Sequence, residues 1–186
     1  MEPITVKYKV LDTRAKVPSY ATPGSAAADL CAVLDAPLTL APMERALVPT
    51  GLAIELPGPH AVALVYARSG LSIKHGLCMA NGVGVVDSDY RGELKVPMIN
   101  LGTEAYTIQP GERVAQLCIA PVYTAAFAQA AELGDTQRGA GGFGSTGSEA
   151  YERSDPGFPE PPTERAVEPV HDGFLPSVSA ILTRMP

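Results

Sequence analysis

Apolar and polar residues alternate at the start of the chain: Ile4, Val6, Tyr8 and Val10 are apolar, and Thr5, Lys7 and Lys9 between them are polar. A period of two predicts a half-buried strand, because successive side chains of a strand leave opposite faces. Short runs rich in Val, Ile and Leu follow at "ERALVPTGLAIEL" (44–56), "HAVALVYA" (60–67), "GVGVVD" (82–87), "ELKVPMIN" (93–100) and "RVAQLCIAPV" (113–122). Gly, Pro, Asn or Asp separates them, so each predicts a strand bounded by turns. Between them only "SGLSIKHG" predicts a helix, about two turns long, with Ser69 as its N-cap and Gly76 as its stop. Many short strands without ordinary helices predict an all-β fold: a sandwich, jelly roll or barrel.

The pattern changes after Gly147. The last 39 residues hold 7 of the 18 prolines and 7 of the 20 acidic residues against 3 of the 14 basic ones, which puts −4 of the net charge of −6 there. Such a segment buries too little apolar surface to order itself. Its end, "HDGFLPSVSAILTRMP", is more apolar and reads equally as a docking segment or a passive tail. The rest has the length and the apolar content of one folded domain. An acidic balance gives no support to a sequence-independent DNA or RNA binder, which usually carries a basic stripe. Cys31, Cys78 and Cys118 are odd in number and far apart, so they predict buried thiols in a reducing compartment rather than a disulfide framework or a zinc site. The N-terminus has no basic region followed by an apolar run, and no stretch approaches a membrane span. The expectation is a soluble, cytoplasmic protein.

Five stretches carry candidate chemistry. "AAADL" (26–30) sets Asp29 among small residues, where a turn residue or cap is the plain alternative to a functional acid. In "ARSGLSIKHG" (67–76), Arg68 and Ser69 stand at a strand-to-helix junction. They make either an N-cap beside a surface arginine or a phosphate site of guanidinium, hydroxyl and first-turn N–H groups. "NGVGVVDSDYRG" (81–92) places Asp87 and Asp89 two residues apart, on one side of an extended chain; that suits a general base or a metal, and equally a hairpin turn. Gln116 in "GERVAQLCIAPV" (111–122) interrupts an apolar strand, so its amide bonds a neighbouring backbone or faces a ligand. "RGAGGFGSTG" (138–147) has a linker's composition, yet its glycines expose N–H groups suited to anions, and Arg138 and Phe143 are odd in a spacer. It is not a Walker loop, since no lysine follows the glycines. His60, His75 and His171 show no ligand spacing.

In this order, from about residue 4 to residue 147, these stretches resemble the trimeric deoxyuridine triphosphatases, the dUTPases. The resemblance implies a β-clip or jelly-roll core over residues 1–134 and a mobile lid over 135–147, with 148–186 left as a tail of untransferable role. It implies a homotrimer with active sites at subunit interfaces, each covered by a lid from another subunit. The implied reaction is Mg2+-assisted in-line attack of water on the α-phosphorus of dUTP. The products, dUMP and pyrophosphate, keep uracil out of DNA and supply dUMP for dTMP synthesis. Carried over residue by residue, Asp87 matches the carboxylate that orients or deprotonates the water. Tyr90 matches the ring under deoxyribose that leaves no room for a 2′-hydroxyl. Asn81, Gly84, Val85 and Val86 match the hairpin that reads uracil. Arg68, Ser69, Gly70 and Gln116 match phosphate ligands, and Asp29 the acid near the metal-bound triphosphate, one water removed from an ion held mainly by phosphates. In the lid, Arg138 matches the γ-phosphate contact, Phe143 the stack on uracil, and Gly144, Ser145 and Thr146 further phosphate contacts.

Two departures stand out. Ala27 occupies a position where the family usually has glycine, which would be strained if the backbone there needs positive φ. The tail beyond Gly147 is the second. Two alternatives stay open: a deaminase of dCTP on the same fold, and a partner-binding module that uses the tail to hold another protein. The deaminases carry a catalytic glutamate three residues before the asparagine matched by Asn100, where this chain has Pro97. No direct contact with nucleic acid or membrane is expected.

Overall fold

The computed structural model of the chain describes residues 3–142. Among them run β1 (Lys7–Val10), β2 (Ala28–Cys31), β3 (Leu38–Leu40), β4 (Arg45–Pro49), β5 (Leu52–Glu55), β6 (Ala61–Ala67), α1 (Ser69–His75), β7 (Leu77–Met79), β8 (Gly84–Val86), β9 (Lys95–Asn100), β10 (Tyr106–Ile108) and β11 (Arg113–Pro121). All lie in the first of two units into which the chain divides, Met1–Ala128 and Gln129–Pro186. The strands pair antiparallel in four small sheets, ordered β2-β11-β6-β8, β4-β9-β7, β1-β5 and β10-β3. Between the sheets lies one apolar core in which Leu30, Leu40, Val48, Leu77, Val96, Met98, Ile108 and Val114 are wholly buried. This is the all-β architecture with one short helix that the alternation of apolar runs and turns predicts.

The run at 44–56 is two strands, not one. Thr50 and Gly51 break it, and its halves join different sheets, β4 on β9 and β5 on β1. Gly51 takes φ +68°, and a Cβ there would stand 2.9 Å from Ala15 Cβ and 3.0 Å from Asp12 Cβ, so glycine is required twice over. The buried Thr50 hydroxyl donates to the Leu94 carbonyl at 2.6 Å and ties the break to the lead-in of β9. β1 also differs from expectation: it begins at Lys7 and all four residues are exposed, Tyr8 at 52% and Val10 at 47%. Paired only with β5, it keeps its apolar alternation without a core behind it, and Val6 alone of that stripe packs on the core. The strands that the pattern missed, β2, β3, β7 and β10, have three or four residues each, too few for a period to show.

The helix is capped by Arg68 rather than Ser69. Arg68 is extended (φ −85°, ψ 129°), and its carbonyl accepts the Leu71 and Ser72 N–H groups at 3.1 and 3.0 Å. Ser69 is thus the first helical residue. Gly76 stops the helix as expected, in the left-handed region at φ 69°, where a Cβ would run into the backbone of Leu101 and Gly102.

Met43 is the sole non-glycine at positive φ (67°) among the described residues. Ala27 is therefore not in the left-handed region, and its departure from glycine brings no left-handed strain. Met43 sits in the turn that closes with Glu44 N–H on the Ala41 carbonyl, and its side chain is 64% exposed. Met43→Gly is expected to stabilise the fold by about 0.5–1 kcal/mol, because the relief of left-handed strain exceeds the entropy of the added glycine. A denaturant midpoint at or below the parent's would show that the strain is already relaxed.

Candidate active site

Two groups of functional side chains form, each from elements distant in sequence. The first surrounds β8. Its residues register on β6, Gly84 against Val65, Val85 against Leu64 and Val86 against Ala63. A Cβ on Gly84 would sit 3.1 Å from Val65 Cβ, so glycine lets the hairpin lie close to β6. Beyond β8 the chain turns sharply, with Tyr90 N–H donating to the Asp87 carbonyl at 3.2 Å. Arg91 Nη1 donates to the Ser88 and Tyr90 carbonyls at 2.8 and 2.9 Å, stapling the turn from outside. Tyr90 Oη donates to the Glu93 carbonyl at 3.1 Å. A cavity of about 320 Å³ opens here, lined by Asn81, Gly84, Val85, Val86, Asp87 and Tyr90, with Met79, Val65 and Pro97 also among its lining residues. Asp89 is not among its lining residues. The turn separates the two aspartates, so the same-side carboxylate pair does not form; of the two, only Asp87 lines the cavity, with Glu93 as its other carboxylate.

The second group surrounds Asp29. It is neither a turn residue nor a cap: it lies in β2, its side chain only 10% exposed. Arg68 Nε donates to Oδ1 at 3.1 Å and Arg113 Nη1 to Oδ2 at 3.0 Å. Arg68 Nη1 also donates to the Arg113 carbonyl at 3.1 Å, so one carboxylate holds two guanidinium groups in fixed relation. The pairing of β11 with β2 is irregular between Arg113 and Ala115, and such a bulge re-aims a side chain. The turn before it is fastened by Glu112, whose carboxylate accepts Tyr106 Oη at 2.6 Å and Gln109 N–H at 2.8 Å. Burial and that carboxylate push the Tyr106 hydroxyl up to about 12, so it remains a donor at neutral pH. Gln116 follows, half-buried, in register with Asp29 on one side and Tyr66 on the other. Ser69 and Gly70 are exposed at the helix start.

Of the expected site residues the chain thus gathers Asn81, Gly84, Val85, Val86, Asp87 and Tyr90 at the cavity, and Asp29, Arg68, Ser69, Gly70 and Gln116 around β2, β11 and the start of α1. No member of the second set lines the cavity. Arg113 was missed, although it opens the apolar run of "GERVAQL"; a charged residue at that point was the available signal. Arg138 lies in the second unit, where its Nε donates to the Gly141 carbonyl at 2.8 Å. Phe143, Gly144, Ser145, Thr146 and the 148–186 tail lie outside the described residues.

Among the described residues no three His, Cys, Asp or Glu come together as a metal cage. No helix there is long and apolar enough to cross a membrane. The three cysteines are free thiols, and burial pushes that of Cys31 up.

A family model described as dUTPase matches residues 13–147. The chain belongs to the dUTPase family. The match ends on Gly147, the last residue of the glycine-rich stretch. The deoxyuridine 5′-triphosphate nucleotidohydrolase of Desulfitobacterium hafniense is 51% identical over 144 residues, which cover 77% of this chain and 95% of that one. Its counterpart from Neisseria gonorrhoeae is 52% identical over 147 residues, 78% and 98% of the two chains. The dUTPase of Staphylococcus bacteriophage 80alpha, solved with dUPNHPP, superposes with a TM-score of 0.70 at 28% identity, over 77% of this chain and 98% of that one. The dUTPase of S. aureus phage phi11, in a mutant whose structure shows the coordination of a structural Mg(II) ion, shares the fold at a TM-score of 0.63 and 24% identity, over 70% of this chain and 99% of that one. The mostly-β core with its single helix is therefore a dUTPase-type β-clip, or jelly roll.

Proposed function

We propose that the chain hydrolyses dUTP to dUMP and pyrophosphate, with uracil and deoxyribose in the β8 cavity and the triphosphate against the arginines around Asp29. The observation that carries this reading is the cavity itself: a hairpin, a carboxylate and an aromatic ring converge on about 320 Å³, at the low end of the range for small-molecule sites. Asn81, Gly84, Val85 and Val86 read the base edge, Tyr90 packs on the sugar, and Asp87 orients and deprotonates the water. Water is a poor nucleophile toward a polyanion, so a positioned base and neutralised phosphate charge supply most of the acceleration. Arg68, Ser69, Gly70 and Gln116 take the phosphates, with Arg113 held beside them.

Because the phosphate group does not line the cavity of its own chain, the reading includes a homotrimer in which one subunit's phosphate group completes another's base site. Exposed apolar residues on the strands, outside the cavity, support it: Tyr8, Val10 and Tyr66 are 52%, 47% and 39% exposed. The segment 135–147 acts as the lid, with Arg138 on the γ-phosphate, Phe143 over uracil, and Gly144, Ser145 and Thr146 on phosphate oxygens, excluding water when closed. Residues 148–186, which lie outside the described residues, are the segment assigned to a protein partner.

The residues suit Mg2+ held chiefly by the substrate. Both Asp29 oxygens already accept from arginines, so this carboxylate fits an ion at one water's remove. When bound, the ion offsets charge on the triphosphate. The cytoplasm is the compartment proposed, in keeping with three free thiols.

Pro97 lines the cavity at the position matched to the deaminases' glutamate, and proline neither donates nor accepts a proton there. Pyrophosphate release measured with dUTP, dTTP, dCTP and UTP tests the assignment. Release from dUTP alone is expected; ammonia from dCTP would replace it with deamination, and turnover of none would leave a binding module.

A further inference from the structure

Gly92 follows the Asp87–Tyr90 turn and touches neither the cavity nor the β2 group. An ideal Cβ placed on it would overlap Tyr90 Oη and stand 2.5 Å from Cζ and 3.0 Å from Cε2 of the same ring. Its three nearest neighbours would thus all be atoms of Tyr90. Gly92 is not among the glycines at positive φ, so its backbone would accept an alanine without strain. The ring is the obstacle. The ring's own anchorage runs to the next residue: Tyr90 Oη donates to the Glu93 carbonyl, and the Glu93 carboxylate accepts Gly51 N–H at 2.9 Å. Glu93 is therefore pinned to the β4–β5 break, and Tyr90 is pinned to Glu93. Tyr90 is 47% exposed and lines the cavity, whereas Gly92 does not.

We propose that Gly92 is a positioning residue for sugar selection: the space left by its missing side chain seats the Tyr90 ring, and the Glu93 carbonyl holds it there, so that the ring excludes a ribose 2′-hydroxyl. This rests on the reading of Tyr90 as the sugar platform. A methyl group at position 92 displaces the ring by contact alone, since a Cβ cannot approach a carbon to 2.5 Å. The effect belongs to sugar discrimination, because the three atoms nearest the added methyl are all in Tyr90 and none is in the base-reading hairpin, residues 81–86.

The measurement is the ratio of kcat/KM for dUTP to that for UTP, in Gly92→Ala, Tyr90→Ala and the double variant. Gly92→Ala is expected to lower the ratio roughly tenfold or more, the scale of a mis-shaped contact of about one methyl group. Its preference for dUTP over dTTP should stay at the parent's value. In the Tyr90→Ala background the same change should lower the dUTP-to-UTP ratio no further, because the group it displaces is gone. An equal loss on dUTP and UTP, or an additive loss in the double variant, overturns the proposal. If Tyr90→Ala itself leaves the ratio unchanged, the sugar-platform reading fails. If Tyr90→Ala lowers the ratio and Gly92→Ala does not, the role of Gly92 fails alone. Should Gly92→Ala yield no folded protein, the double variant is expected to recover folding, since the three atoms nearest the methyl all belong to the Tyr90 side chain; failure to recover it also overturns the proposal.

Discussion

Asp87→Asn is expected to lower kcat on dUTP by roughly 10²–10⁴, the range supplied by one positioned general base. KM and the affinity for a non-hydrolysable dUTP analogue should stay within a few-fold of the parent. The structural basis for so clean a split is that the fold uses only the backbone of Asp87. Its carbonyl closes the turn on Tyr90 N–H, the turn is stapled by Arg91, and the side chain is exposed toward the cavity. Asparagine preserves shape and hydrogen-bonding reach while removing the ability to take a proton. Pyrophosphate release gives kcat, and titration calorimetry with the analogue gives binding. Turnover like the parent's would remove Asp87 as the base and return the Asp87–Tyr90 segment to an ordinary hairpin turn. Loss of affinity in step with kcat would make it a substrate ligand instead.

The contrast between the two halves of the site shows what a linear chain discloses. The cavity half was legible because it is local: Asn81 to Tyr90 lie within one hairpin, and Asp87 and Tyr90 keep their relation through a single turn. Even there, the extended-chain rule misjudged Asp89, because the turn that the same residues favour removes it from Asp87's side. The phosphate half is non-local. Asp29 meets Arg68 across 39 positions and Arg113 across 84, and the register of β2 on β11 that joins them is set by burial in the core, with a bulge at Arg113. Nothing in "AAADL" announces a carboxylate with two arginines. The fold was legible in a similar measure. The long apolar runs appear as β6, β9 and β11, whereas the break at Thr50–Gly51 depends on Ala15 and Asp12, which crowd the glycine from far upstream.

Asp29→Asn should produce the second large effect, through the arginines. The carboxylate accepts from Arg68 on one oxygen and Arg113 on the other; an asparagine offers one acceptor and turns an N–H donor toward a guanidinium. Two cations then share a partly buried space without a counter-charge. The cost to stability is set at about 2 kcal/mol, below the roughly 3–5 of a wholly buried broken pair, because the Arg113 side chain is 55% exposed and water screens it. The larger consequence is geometric: arginines displaced by about 1 Å misalign the triphosphate, and kcat/KM for dUTP is expected to fall about 10²-fold, mostly through KM. A Mg2+ titration separates the two roles open to Asp29. If it acts by holding Arg68 and Arg113, raising Mg2+ leaves the loss unchanged, and Asp29→Asn adds little to a variant already carrying Arg68→Ala and Arg113→Ala. Recovery at high Mg2+ would instead make the ion's water shell its principal partner, and the two ion pairs would be reduced to a support for β2.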